Sequence, residues 1–164
     1  KVSPQMANRM VDGARKVLNN YLPDVWVYTD VHKGKTSGAS PGFGVCLVAE
    51  TTSGCLLSAE IAGYAGALPE HLGLTCADGL LEQVVQGGAI DAANQPLVLT
   101  LMCLGPEDVS RIRLGAELSP SAISTLRLLK DFLGVTFRIE VDADGSLLLA
   151  CRGAGFKNTS QRVT

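Results

Sequence analysis

The chain has 164 residues, 46% of them hydrophobic and 18% charged, enough to bury a substantial core in one or two small domains and too apolar for a disordered chain. No apolar run approaches the roughly 20 residues of a membrane span, and Lys1, Arg9, Asp12, Arg15 and Lys16 stand where an export signal would carry its apolar core. A soluble, unexported protein is expected, and its net charge of −2 is unevenly spread: +3 over residues 1–38, −8 over 39–109 with no Lys or Arg, and +3 over 110–164, which argues against non-specific polyanion binding by the whole surface but allows a local basic face.

In chain order, Ser3-Pro4 followed by Met6, Met10, Ala14, Val17 and Tyr21 predicts a Ser-capped helix with one apolar stripe, stopped before Pro23. Asp24 to Val31, "DVWVYTDV", has the aromatic and β-branched content of a strand, and a Gly/Ser/Lys loop begins at His32. "FGVCLVAETTSGCLLSAEIAG" predicts a hairpin turning at Thr52-Ser53-Gly54. A Gly/Ala/Pro connection, 63–69, precedes two apolar helical segments near Asp78–Gln86 and Asn94–Leu104, and "VSRIRL" then reads as a strand. Ser119-Pro120 opens a second Ser-capped helix with Ile123, Leu126 and Leu133 on its buried face, and "GVTFRIEVDADGSLLLACRG" is a strand, an Asp-Gly turn and a strand. Helix, strand and hairpin features thus recur, which predicts an α+β fold of two units divided near Gly63–Gly73.

Five cysteines stand singly, mostly among Val, Leu and Ala, and predict buried, reduced thiols of an intracellular protein with no metal. "KGKTSG" contains the Gly-Lys-Thr tail of a phosphate loop, but Thr29 stands where the first glycine belongs and a Gly/Ser/Pro segment follows in place of a helix. A solvated loop, or one whose Lys33 and Lys35 touch a phosphate backbone, is what remains. His32 and His71 lack the second histidine or cysteine that a zinc site or nucleophile pair needs. Asp142 and Asp144 resemble an acidic pair, yet Asp-Ala-Asp-Gly between two strands is what a tight turn requires. On the Ser119 helix, Arg127, Lys130 and Asp131 share a face away from Ile123 and Leu126. Asp91, Asn94 and Gln95 form a compact polar cluster against the uncharged run that follows; by physical chemistry alone they cap the helix there.

These residues also carry a resemblance. "SPGFGVCLVAETTSGCLLSAE", "LLEQVVQGGAIDAANQPLVLTLMCLG", "VSRIRLG" and "LSPSAISTLRLLKDFLGVTFRIE" together resemble the RNA 3′-terminal phosphate cyclase superfamily, and within it the cyclase-like branch of nucleolar ribosome-biogenesis factors. The most specific piece is G-G-x-[IV]-D-x-x-N-Q before an apolar helix. The resemblance implies a C-terminal fragment of a longer protein: residues 1–63 would be most of a small α/β insert domain, and 64–164 the final core repeat, two helices packed on a four-stranded sheet.

True cyclases form an adenylated histidine at a motif resembling H-L-x-D-Q. Aligned on Asn94-Gln95, the chain offers Asp91 in place of that histidine, and no histidine lies beyond His71. A carboxylate does not supply the neutral nitrogen nucleophile that the chemistry needs, so the resemblance implies a degenerate site, Asp91, Asn94 and Gln95, with cyclase activity lost and no cofactor. What it implies instead is a nucleolar factor of the small-subunit processome that binds a GTPase and pre-rRNA and supports early pre-rRNA cleavage. An active ATP-dependent cyclase and a pre-rRNA endonuclease are the alternatives. With RNA or partner contacts to place, the basic candidates are Arg127 and Lys130, with Arg111, Arg113, Arg152 and Lys157 in neighbouring segments, and Lys33 and Lys35 in the early loop.

Overall fold

The structure, a computed structural model, describes residues 2–157 and falls into two compact units, divided between Val85 and Gln86. No helix among the described residues is long and apolar enough to cross a membrane.

The first unit begins with α1, Pro4–Leu18, whose N-cap Ser3 hydroxyl accepts from the Gln5 N–H at 3.4 Å and whose last turn carries Arg15 and Lys16, where cations meet the negative end of the helix dipole. Its buried stripe is Met10, Gly13, Ala14 and Leu18; Tyr21, assigned to that stripe on sequence, lies beyond the helix and is exposed. β1, Gly44–Glu50, and β2, Leu56–Ala62, form the expected antiparallel hairpin, with Val48 opposite Ser58. α2, Pro69–Gln86, starts well before the helical segment expected at Asp78. Gly73 made that stretch look like a connection, but it is the residue that α1 requires. A Cβ on Gly73 would collide with the Met10 carbonyl, and one on Gly13 with the Glu70 carbonyl, so the helices cross backbone to backbone. Ala14, Leu18, Leu47, Cys76, Ala77 and Leu80 close one core beneath this crossing. That packing is why α2 belongs with α1 and the hairpin, and why the division falls at 85/86 and not in the expected 63–73 region.

The strand expected at Asp24–Val31 does not form. Residues 24–33 have no regular structure, because β1 pairs only with β2 and strand propensity without a ladder partner leaves backbone groups unpaired. The strand-like alternation survives, with Val25 and Val27 half-buried and Trp26 and Tyr28 outward at 79% and 87% exposure.

In the second unit, α3, Gln95–Leu104, and α4, Pro120–Leu133, pack on one face of an antiparallel sheet of order β3-β5-β4, where β3 is Val109–Leu114, β4 Arg138–Val141 and β5 Leu147–Arg152. Leu99, Cys103, Leu114, Ala122, Leu129 and Leu149 form the core between the layers. Among the described residues three strands form where four were expected. The fourth position is marked by a lone antiparallel bridge, Gly88 to Leu114, with the Ala89 N–H donating to the Arg113 carbonyl at 2.9 Å. Gly88 sits at φ 91°, and a Cβ there would strike the Gly115 amide, so the chain touches the β3 edge in a conformation that does not continue as a strand. α4 is capped as its sequence predicts: the Ser119 hydroxyl accepts from the Ala122 N–H at 3.1 Å, and Gly134 closes the C-terminus at φ 66°. Its buried side is centred on Ala122 and Leu129, with Leu126 and Leu133 half-buried; Ile123 turns outward, contrary to expectation. Asp142 to Gly145 make the expected turn, with the Gly145 N–H donating to the Asp142 carbonyl at 2.9 Å.

Candidate functional site

At the head of α3, Asp91 and Gln95 are buried, 3% and 2% exposed. The chain makes a turn from Asp91 to Asn94 before the helix, and Asp91 fastens it: its Oδ1 accepts from the Asn94 backbone N–H and from Asn94 Nδ2, both at 3.0 Å, and its Oδ2 accepts from Nδ2 at 3.1 Å. Asn94 is the N-cap by backbone position, but its side chain is turned back to Asp91 and caps nothing. Gln95 reaches to the loop ahead of α4. Its Oε1 accepts from the Ser119 N–H at 2.8 Å, and its Nε2 donates to the Glu117 carbonyl at 3.2 Å. One amide thus satisfies two backbone groups where both helices of the unit begin. Of the polar cluster, Gln95 ties the start of α3 to the segment that leads into α4, while Asp91 and Asn94 fasten the turn before α3.

No histidine enters this arrangement. His71 lies on α2, with Nδ1 3.5 Å from the Thr75 hydroxyl, and His32 Nε2 is 3.1 Å from Asp30 Oδ2; both histidines are exposed. Among the described residues no group of three His, Cys, Asp or Glu side chains is arranged to hold a metal. All five cysteines are free. Cys76, Cys103 and Cys151 are buried, as expected, whereas Cys46 is exposed on β1 and Cys55 half-buried. Burial first, and then the neighbouring Cys151, push the Cys103 thiol up to about 11, so it stays protonated at neutral pH.

The basic candidates of the second unit divide between opposite layers. Arg127 and Lys130 are exposed on α4, beside Leu128 and an 81% exposed Phe132. Arg111 and Arg113 alternate along β3 with Ile112 and Leu114, which point into the core, so they project from the side of the sheet that the helices leave open. Arg152, on β5, alternates with buried Cys151 and shares that open side. Arg113 is held by Asp142 at 2.7 Å and Asp144 at 3.6 Å, and Arg152 by Glu107 at 3.0 Å. Ser146 donates to Asp144, and this, more than Arg113, holds the Asp144 carboxyl below the usual carboxylate range. Lys157 is exposed beyond β5. Lys33 and Lys35 flank and occupy a single 3-10 turn, Gly34–Thr36, in the first unit. Arg138 was missed on sequence. The strand register sets it across from Ala150, on the same open side as Arg111, and the alternation of "FRIE" was its only local signal.

The model of the RNA 3′-terminal phosphate cyclase insert domain matches residues 1–85, the span of the first unit. The chain is 51% identical over 175 aligned residues to the mouse RNA 3′-terminal phosphate cyclase-like protein, covering 99% of this chain and 47% of the mouse protein. A human protein of the same name is 51% identical at the same coverage. A Schizosaccharomyces pombe protein named as an rRNA processing protein is 42% identical over 99% of this chain and 45% of its own length. The chain therefore spans about half the length of these curated relatives. With the insert-domain model covering half of it and cyclase-like proteins similar along nearly all of it, the chain belongs to the RNA 3′-terminal phosphate cyclase family, on the side of its cyclase-like members.

Proposed function

We propose that the chain is part of a non-cyclase ribosome-biogenesis factor that acts in the nucleolus in early pre-rRNA cleavage for the small ribosomal subunit, in contact with a GTPase partner and pre-rRNA. What supports the loss of cyclase chemistry is the Asp91 carboxylate: by the sequence resemblance it replaces the nucleophilic histidine of a cyclase, and it is buried and accepts three hydrogen bonds from Asn94. A carboxylate so held has neither the nitrogen nor the freedom to take up AMP. Processing of rRNA is the named role of the fission yeast relative, and the similarity over nearly all of this chain supports extending it here.

The α4 face suits the protein partner better than it suits RNA alone. Leu128 and Phe132, four residues apart, form an exposed apolar pair on one flank of α4, while Arg127 and Lys130 stand with Asp131 on the other, and an exposed aromatic of this kind is what a protein interface anchors on. The test of the non-cyclase reading is incubation of the full-length protein with labelled ATP and an RNA ending in a 3′-phosphate. No covalent AMP and no cyclic phosphate are expected; either product would restore the cyclase reading.

A further inference from the structure

We infer that the open face of the β3-β5-β4 sheet is a binding surface for the phosphate backbone of single-stranded RNA, centred on Arg111 and Arg138. The register sets Arg111, Ala150 and Arg138 in one row across the three strands, so two guanidinium groups flank one small side chain. Two strand spacings separate their backbones by about 10 Å. In the next rows Arg152 lies opposite Val109, and Arg113 opposite Leu148 with Glu140 beyond. The face therefore carries four arginines, of which Arg113 is offset by Asp142 and Asp144, Arg152 by Glu107 and Arg138 by Glu140, so that Arg111 alone is left without an ion pair among the described residues.

The available guanidinium groups of Arg111 and Arg138, and the shape between them, favour a phosphate backbone over a protein. No aromatic side chain stands in these rows to anchor a protein interface, and the small Ala150 leaves a shallow trough between the arginines. Arginine presents a planar fork of donors that fits phosphate oxygens two at a time. Arg111 has no ion pair among the described residues, and Arg138 is held only by Glu140 on its own strand, with Arg138 81% exposed. Such a surface pair is worth about 0–1 kcal/mol, so Arg138 is free to exchange it for a phosphate. Arg113 and Arg152 are more engaged, with Asp142, Asp144 and Glu107 offsetting their charge, so the phosphate contacts fall to Arg111 and Arg138.

This inference rests on the proposed RNA association, and its test separates the two. The full-length protein is titrated with a fluorescent oligouridylate of about 20 nucleotides at several KCl concentrations, as wild type and as R111Q/R138Q. Loss of two phosphate contacts is expected to weaken binding about tenfold and to reduce the slope of log K against log salt by about 1.4, since each contact on a single strand contributes about 0.7. R111K/R138K keeps the charges and is expected to keep the slope. If R111Q/R138Q is misfolded by circular dichroism, Arg138→Gln alone, on the edge strand, is expected to reduce the slope by about 0.7. Wild-type affinity and slope in a folded variant would overturn this surface and leave RNA association standing. Absence of salt-dependent RNA binding by the wild type would overturn both, whereas a surface that binds polyglutamate in preference to RNA would be a protein-docking site and overturn this inference alone.

Discussion

Two polar regions of the second unit look alike in sequence and differ in the structure. The Asp91–Asn94–Gln95 cluster and the Arg127–Lys130 pair each set two or three polar side chains beside an apolar helix, yet the first is buried and hydrogen-bonded and the second is exposed. Burial decides what each residue can be asked to do. A buried polar group that loses its partner leaves another unsatisfied, so its substitution is read in stability; an exposed cation has water as an alternative, so its substitution is read in binding.

The sharpest way to break the contrast is Gln95→Leu, which keeps the bulk and strands the Ser119 N–H and the Glu117 carbonyl. A loss of about 3 kcal/mol is expected in urea unfolding, because each orphaned buried group costs about 1–3 kcal/mol. An unchanged midpoint would mean that water replaces the amide and that the cluster is not structural. Asp91→Ala should cost less, about 1–2 kcal/mol, because Asn94 can turn outward once its acceptor is gone. A variant as stable as wild type by the same measurement would return Asp91 to the list of groups kept for chemistry.

Much of this fold was legible in the sequence, and the parts that were not share a cause. Ser3-Pro4 and Ser119-Pro120 announce helix starts, and Asp-Gly at 144–145 and Ser-Gly at 53–54 announce turns, because capping and turn chemistry act within a few residues. The strand expected at 24–31 failed because a strand is a pairing, and its alternation says nothing about whether a partner lies alongside. Gly73 misplaced the start of α2 for the same reason: the α1 backbone that it admits is distant in sequence. In the candidate site, capping was expected, yet the N-cap Asn94 makes no side-chain cap bond and Asp91 fastens the turn before α3 instead, a bond spanning three residues. The Gln95 clamp spans 24 residues to Ser119 and could not be anticipated. Arg138 joined Arg111 only through a register shared with the central strand.

The smallest expected change in stability is paired with a loss of function, and it tests the contrast most directly. Arg127→Ala with Lys130→Ala, introduced into the full-length protein, should leave unfolding within about ±0.5 kcal/mol per site, because both side chains are exposed. Pre-rRNA processing is then followed in cells depleted of the normal protein. The account predicts that the folded variant accumulates and fails to restore the early cleavages; full restoration would contradict it and leave the α4 face as solvated surface.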